Sequence, residues 1–169
     1  MKRLLVLLLL VNSFCVTAQT DEDAEPLLSP KILALDTTIS VANRFNEEIS
    51  KMIPGYKHAF TDRSGHKTIK QIFKTENNET LKLQYNYTTD GGDSDDTNGK
   101  PLVNFQQITA DVAVITMIYN YLFGTELTAG QLSGVGTTGT EIIYHGAIHQ
   151  LVLEPDDYAP GYWSLTFVR

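Results

Sequence analysis

Cysteine is nearly absent from this 169-residue chain, and the one that is present, Cys15, falls in a segment that reads as an export signal. Met1-Lys2-Arg3 is a short basic end and Leu4 to Val11 an apolar run too short to span a bilayer. Val16-Thr17-Ala18 then places small residues at −3 and −1 ahead of Gln19. Cleavage after Ala18 leaves a mature chain without a thiol, which excludes a disulfide framework and cysteine chemistry. The folded part must be held by its own apolar core, and roughly 150 residues suffice to bury one. A rival reading acylates Cys15 as a lipoprotein anchor. Its flank, Asn12-Ser13-Phe14, puts a bulky ring where lipoprotein processing wants a small residue, so ordinary cleavage is preferred.

Basic clusters are missing too. Lys and Arg number 13 against 20 Asp and Glu, for a formal charge of −7, and losing Lys2 and Arg3 makes the mature chain more acidic. A phosphate backbone needs a positive patch, so nucleic acid is not expected as a partner, and anionic lipid surfaces are disfavoured on the same ground. No second apolar run is long enough to cross a membrane, so no transmembrane segment is expected in the mature chain. An exported chain without disulfides fits a Gram-negative bacterium, with the protein periplasmic or extracellular. No residue-level repeat is visible.

Three regions follow: a signal over residues 1–18, an acidic leader over 19–28 carrying Asp21, Glu22, Asp23 and Glu25, and one globular domain over 29–169. Ser29-Pro30 has the chemistry of a helix start, a capping hydroxyl before a proline at the first helical position. Leu35, Ile39, Ala42, Phe45, Ile49 and Met52 then recur at helical spacing up to Pro54-Gly55. Leu81, Leu83, Tyr85 and Tyr87 alternate with polar residues in period two and predict a half-buried strand, with His66 to Thr75 and Tyr56 to Phe60 as antiparallel neighbours. A short strand is expected near Leu102 to Gln107. Residues 111–123 have almost no polar face. Length and Gly124 favour a buried helix there, with a strand as the alternative. Glu141 to Leu153 and Tyr162 to Val168 read as a closing hairpin about Pro155-Asp156-Asp157. The expected fold is α+β: an antiparallel sheet of five to six strands packed on one or two helices. The order helix, strands, helix, strands suggests two α-then-β units.

Several constellations carry candidate chemistry. Gly134-Val135-Gly136-Thr137-Thr138-Gly139 matches a dinucleotide fingerprint in letters, but a strand follows where a helix N-terminus is needed, so no cofactor is expected and the stretch reads as a loop. Ser133 resembles a nucleophile elbow with Gln131 in place of its first glycine. Together with His145 or His149 and Asp157 it defines a hydrolase alternative. His145 and His149 are four apart on what reads as one strand, about 13 Å between rings, so no metal site is expected. The loop at 90–99 holds Asp93, Asp95 and Asp96, whose spacing does not fit an EF-hand.

The function expected is a non-enzymatic binding or interaction domain of the bacterial envelope. Its contacts with an unknown protein or small-molecule ligand would come from loops 90–99 and 128–140, through Asp93, Asp95, Asp96, Gly134, Gly136, Thr137 and Thr138. The alternatives are the hydrolase and a structural subunit of a surface assembly.

Overall fold

A computed structural model describes residues 28–88, 101–135, 138–157 and 159–169. The signal with Cys15, leader residues 19–27, Asp93, Asp95, Asp96, Gly136 and Thr137 lie outside the described residues, as does the side chain of Thr138.

The chain runs α1 (Ile39–Met52), β1 (Lys57–Asp62), β2 (Thr68–Lys74), β3 (Thr80–Thr88), β4 (Leu102–Asp111), α2 (Val112–Phe123), α3 (Ala129–Val135), β5 (Thr138–Tyr144), β6 (Ala147–Pro155) and β7 (Tyr162–Val168). The strands form one antiparallel sheet in the order β1-β2-β3-β4-β7-β6-β5, so the fold is α+β with seven strands rather than five or six. Each half is a helical segment followed by a meander that runs from an edge to the centre. The two final strands, β4 and β7, meet there with Ile108 opposite Leu165. The two α-then-β units read from the sequence are thus joined along one seam.

Register explains the core. Leu83, Ile108, Leu165 and Leu153 lie in one row across β3, β4, β7 and β6, and none is more than 2% exposed. Burying each such side chain contributes about 1.5–3 kcal/mol. Both α1 and α2 pack on this face through Ala42, Phe45, Ile49, Ile115, Ile118 and Leu122. Polar pairs fix where α1 sits: the Tyr85 hydroxyl donates to Asn43 Oδ1 at 2.7 Å, and Asn46 Nδ2 donates to Gln71 Oε1 from β2.

Residues 111–123 are helical because both ends are capped. Asp111 accepts from the Ala113 amide at 2.8 Å, and Gly124 at φ 68° closes the C-terminus with its amide on the Asn120 carbonyl. Within 128–140, expected to be irregular, α3 forms on a capping box. Thr128 and Gln131 exchange side-chain-to-amide bonds, Thr128 N to Gln131 Oε1 at 2.9 Å and Gln131 N to Thr128 Oγ1 at 3.3 Å.

Two local expectations are overturned. Ser29-Pro30 does not start a helix. Residues 28–38 instead form an extended strap that crosses the end of the core, and α1 begins only at Ile39. Leu33, Ala34 and Leu35 are all at most 1% exposed, and three consecutive buried residues cannot share one face of a surface helix. The strap is held by Ala34 N donating to Gln106 Oε1, Tyr144 donating to the Leu33 carbonyl, and Asp36 N donating to the Val103 carbonyl. Leu28, assigned to the leader, already bridges Ile142 in parallel and so shields the β5 edge. Nor is Glu141 to Leu153 a single strand. His145 (φ 49°) and Gly146 (φ 77°) make a two-residue turn between β5 and β6, the type I′ geometry that matches strand twist.

Candidate functional site

On the outer face of the sheet, opposite the helices, the register assembles a polar row from four strands. Lys82 of β3 pairs with Thr109 of β4, Thr109 with Ser164 of β7, and Ser164 with Glu154 of β6. Side chains alternate across a strand, so these four stand on one side. Lys82, Ser164 and Glu154 of this row border a cleft of about 220 Å³ whose lining also includes Gln107, Pro155, Asp156 and Asp157. Two of its lining residues are tied to neighbouring hydroxyls: Ser164 Oγ lies 3.0 Å from Thr109 Oγ1, and Gln107 Nε2 donates to Thr166 Oγ1 at 3.2 Å. Thr109, Ser164 and Thr166 are 5, 5 and 7% exposed.

The rim is charged. Lys82 makes no ion pair or hydrogen bond among the described residues, and neither do Glu154 and Asp157. Asp156 is engaged in the β6–β7 turn, where Oδ1 accepts from Ala159 N and its own amide donates to the Tyr162 carbonyl. Three strand spacings separate the Lys82 and Glu154 backbones, about 14 Å, which explains why opposite charges in one row do not neutralise each other.

A second polar group lies at the other end of the sheet, inside the core face. Asp36 sits at φ 55° on the strap. Its Oδ1 is 3.1 Å from Arg169 Nη1 and its Oδ2 is 3.4 Å from His149 Nε2. The His149 side chain is fully buried, and neither ring nitrogen has an aligned hydrogen-bond partner; Gln106 Nε2 and Asn104 Oδ1 are likewise buried without one. His149 pairs with Ile142 on β5 and its ring is 6.4 Å from that of Tyr144.

The hydrolase candidates are scattered by the fold. Ser133 is on exposed α3 and its hydroxyl donates back to the Gly130 carbonyl at 2.8 Å. His145 is in the β5–β6 turn against Tyr144, His149 is beneath Asp36, and Asp157 is on the cleft rim. Among the described residues no hydrogen bond or ion pair joins any two of these four. Gly134 lies on α3 with open space around it. Loop 90–99 lies outside the described residues, which on this side stop at Thr88, the last residue of β3. Residues 128–140 lead into β5, whose Thr138 pairs with Val152.

Among the described residues no three His, Cys, Asp or Glu side chains gather as a metal-binding group, and no helix is long and apolar enough to cross a membrane. No family model, no curated protein and no solved structure matches this chain.

The cleft was missed by sequence reasoning because, apart from Asp157 and the turn at Pro155-Asp156, its residues sit in no motif. The signals were there in part. Ser164 and Thr166 alternate with Trp163, Leu165 and Phe167, and Lys82 and Gln84 with Leu81 and Leu83. The central β4–β7 pairing that joins them has no local signature.

Proposed function

We propose that this chain is an exported, non-enzymatic binding domain of a bacterial envelope that receives a small polar ligand on the outer face of its sheet. The observation that carries the reading is the cleft itself. Lys82 and Glu154 from the sheet and Asp157 from the β6–β7 connection, none of them in an ion pair among the described residues, line it beside the buried Ser164 hydroxyl. Charges held apart beside a polar wall orient a ligand without supplying an activated nucleophile. Export is supported by the basic end, apolar run and small-residue cleavage site of residues 1–18.

Expression with residues 1–18 in a Gram-negative host, followed by cell fractionation and N-terminal sequencing, is expected to return an envelope protein beginning at Gln19. A cytoplasmic chain that retains Met1 would refute the export half. Amide NMR of the purified protein against a panel of small charged and uncharged polar compounds tests the other half. Saturable shifts at Lys82, Gln107, Glu154 and Ser164 support it, and a panel that moves none of them rejects it.

A further inference from the structure

The cleft does more than present polar groups: it sorts them by sign along one line. Lys82 is at one end of the cross-strand row and Glu154 at the other, Thr109 and Ser164 lie between, and Asp157 also lines the cleft. We propose that the ligand is a short zwitterion whose ammonium and carboxylate are several bonds apart, of the class of di- and tripeptides with free ends, its carboxylate on Lys82 and its ammonium on Glu154 and Asp157. This inference rests on the binding reading above and names the ligand chemistry of the same cleft.

Three observations select that class. First, the opposite charges are too far apart to pair with each other. A ligand that answers both must therefore span the two intervening strands, which a single α-amino acid does not do and a peptide of two or three residues does. Second, the wall has hydrogen-bonding capacity left over. Ser164 Oγ, at the cleft wall, shares one hydrogen bond with Thr109 Oγ1 and has further lone-pair capacity beyond it. Gln107 uses one Nε2 proton on Thr166, which leaves its second N–H as a donor and Oε1 as an acceptor at the cleft wall. A free donor beside a free acceptor matches the carbonyl and N–H of a peptide unit. Third, the acids on the rim outnumber the one lysine, so the ammonium end is held more strongly. A dicarboxylate is disfavoured, and a neutral sugar would leave the unpaired charges unanswered.

The test is amide NMR of the purified protein with three probes: triglycine, N-acetyl-triglycine amide, whose ends are uncharged, and maltotriose. Triglycine is expected to shift Lys82, Ser164 and Glu154 saturably, with the other two probes markedly weaker and the effect reduced by added salt. Lys82→Glu and Glu154→Lys are each expected to weaken triglycine binding by about fivefold or more, the scale of one exposed ion pair turned repulsive. The double swap is expected to recover most of the affinity, because a zwitterion can bind turned end for end. Lys82→Met and Glu154→Gln serve as milder variants should a reversal unfold the sheet. If maltotriose or the capped peptide binds the cleft as well as triglycine does, the zwitterion inference falls and the binding reading stands. If no probe shifts the cleft, the zwitterion inference falls, and the wider panel of polar compounds decides the binding reading. Single variants that bind like the parent, or a folded double swap that recovers nothing, also overturn the inference.

Discussion

Replacing His149 with leucine should make this protein more stable. Its side chain is fully buried and both ring nitrogens lack an aligned partner. A neutral imidazole carries one donor and one acceptor, and each buried polar group left unmade costs about 1–3 kcal/mol. Two opposing contributions reduce the gain. Asp36 Oδ2 is 3.4 Å from Nε2, and losing that poorly aligned contact costs about 1 kcal/mol, the scale of one net hydrogen bond. Fitting a branched aliphatic where a flat ring stood costs up to about 1.5 kcal/mol. Apolar surroundings favour the exchange, since Ile142 is directly across on β5 and Leu151 two residues along, both 0% exposed. The Asp36–Arg169 pair, more exposed, is left in place. The expected net is a gain of about 2 kcal/mol, or ~4–8 °C in Tm for a domain of this size. Urea and thermal unfolding followed by circular dichroism measure it, and repeating the substitution in an Asp36→Asn background isolates the contribution of the carboxylate. A loss of 1 kcal/mol or more in the single variant would refute the reasoning, because it would mean that the imidazole is properly hydrogen-bonded in solution.

Alkaline stability should fall in a defined window. Burial, with Glu79, Tyr162 and Asp111 adding to it, pushes the Tyr56 hydroxyl up to about 12; burial also raises that of Tyr85 to about 12, with Tyr87 adding and Arg63 opposing. Unfolded tyrosine ionises near 10, so the folded state keeps protons the unfolded state has lost, and stability is intact below about pH 10 and drops as pH climbs toward about 12. Urea midpoints that stay flat across that range would contradict it. In the β5–β6 turn, Gly146→Val is expected to cost about 1–2 kcal/mol at φ 77°, whereas His145→Asn at φ 49° is expected to be neutral or stabilising, both read from thermal melts. Asp111→Ala removes the cap of α2 and should lower stability by about 1 kcal/mol in the same assay; no change would mean that the Ala113 amide is satisfied otherwise.

Strands that alternate cleanly, such as Leu81 to Tyr87, were legible because one face is wet and the other buried, and the period survives any tertiary context. The strap was not. Leu33-Ala34-Leu35 has no period at all, and its extended path is decided by partners far along the chain: Gln106, Val103 and Tyr144. The β5–β6 hairpin was missed for another reason. A histidine occupies a left-handed position that asparagine usually fills, so the turn hid inside a continuous apolar stretch. The capping box at Thr128 and Gln131 was readable from spacing alone, yet it lies among glycines and threonines that argue for a loop.

One cause unites what the sequence concealed about the site. Each half of the fold is local in sequence, with neighbouring strands pairing as hairpins, so each half can be drawn from its own turns. The β4–β7 seam is the exception, pairing Ile108 with Leu165 across the whole second unit. Both polar features of this molecule straddle that seam. On the outer face, Thr109 meets Ser164, which lines the cleft. On the inner face, at the other end, the Arg169 amide donates to the Asn104 carbonyl beside the Asp36 ion pair. A seam built from two meanders places the ends of distant segments side by side, and there polar side chains from both halves converge without any motif to announce them. A ligand seated over Gln107 and Ser164 would bridge the two units, so binding should stabilise the seam relative to the hairpins on either side. Hydrogen exchange resolves that difference: amides of β4 and β7 should gain protection on ligand binding while those of β1 and β5 change little.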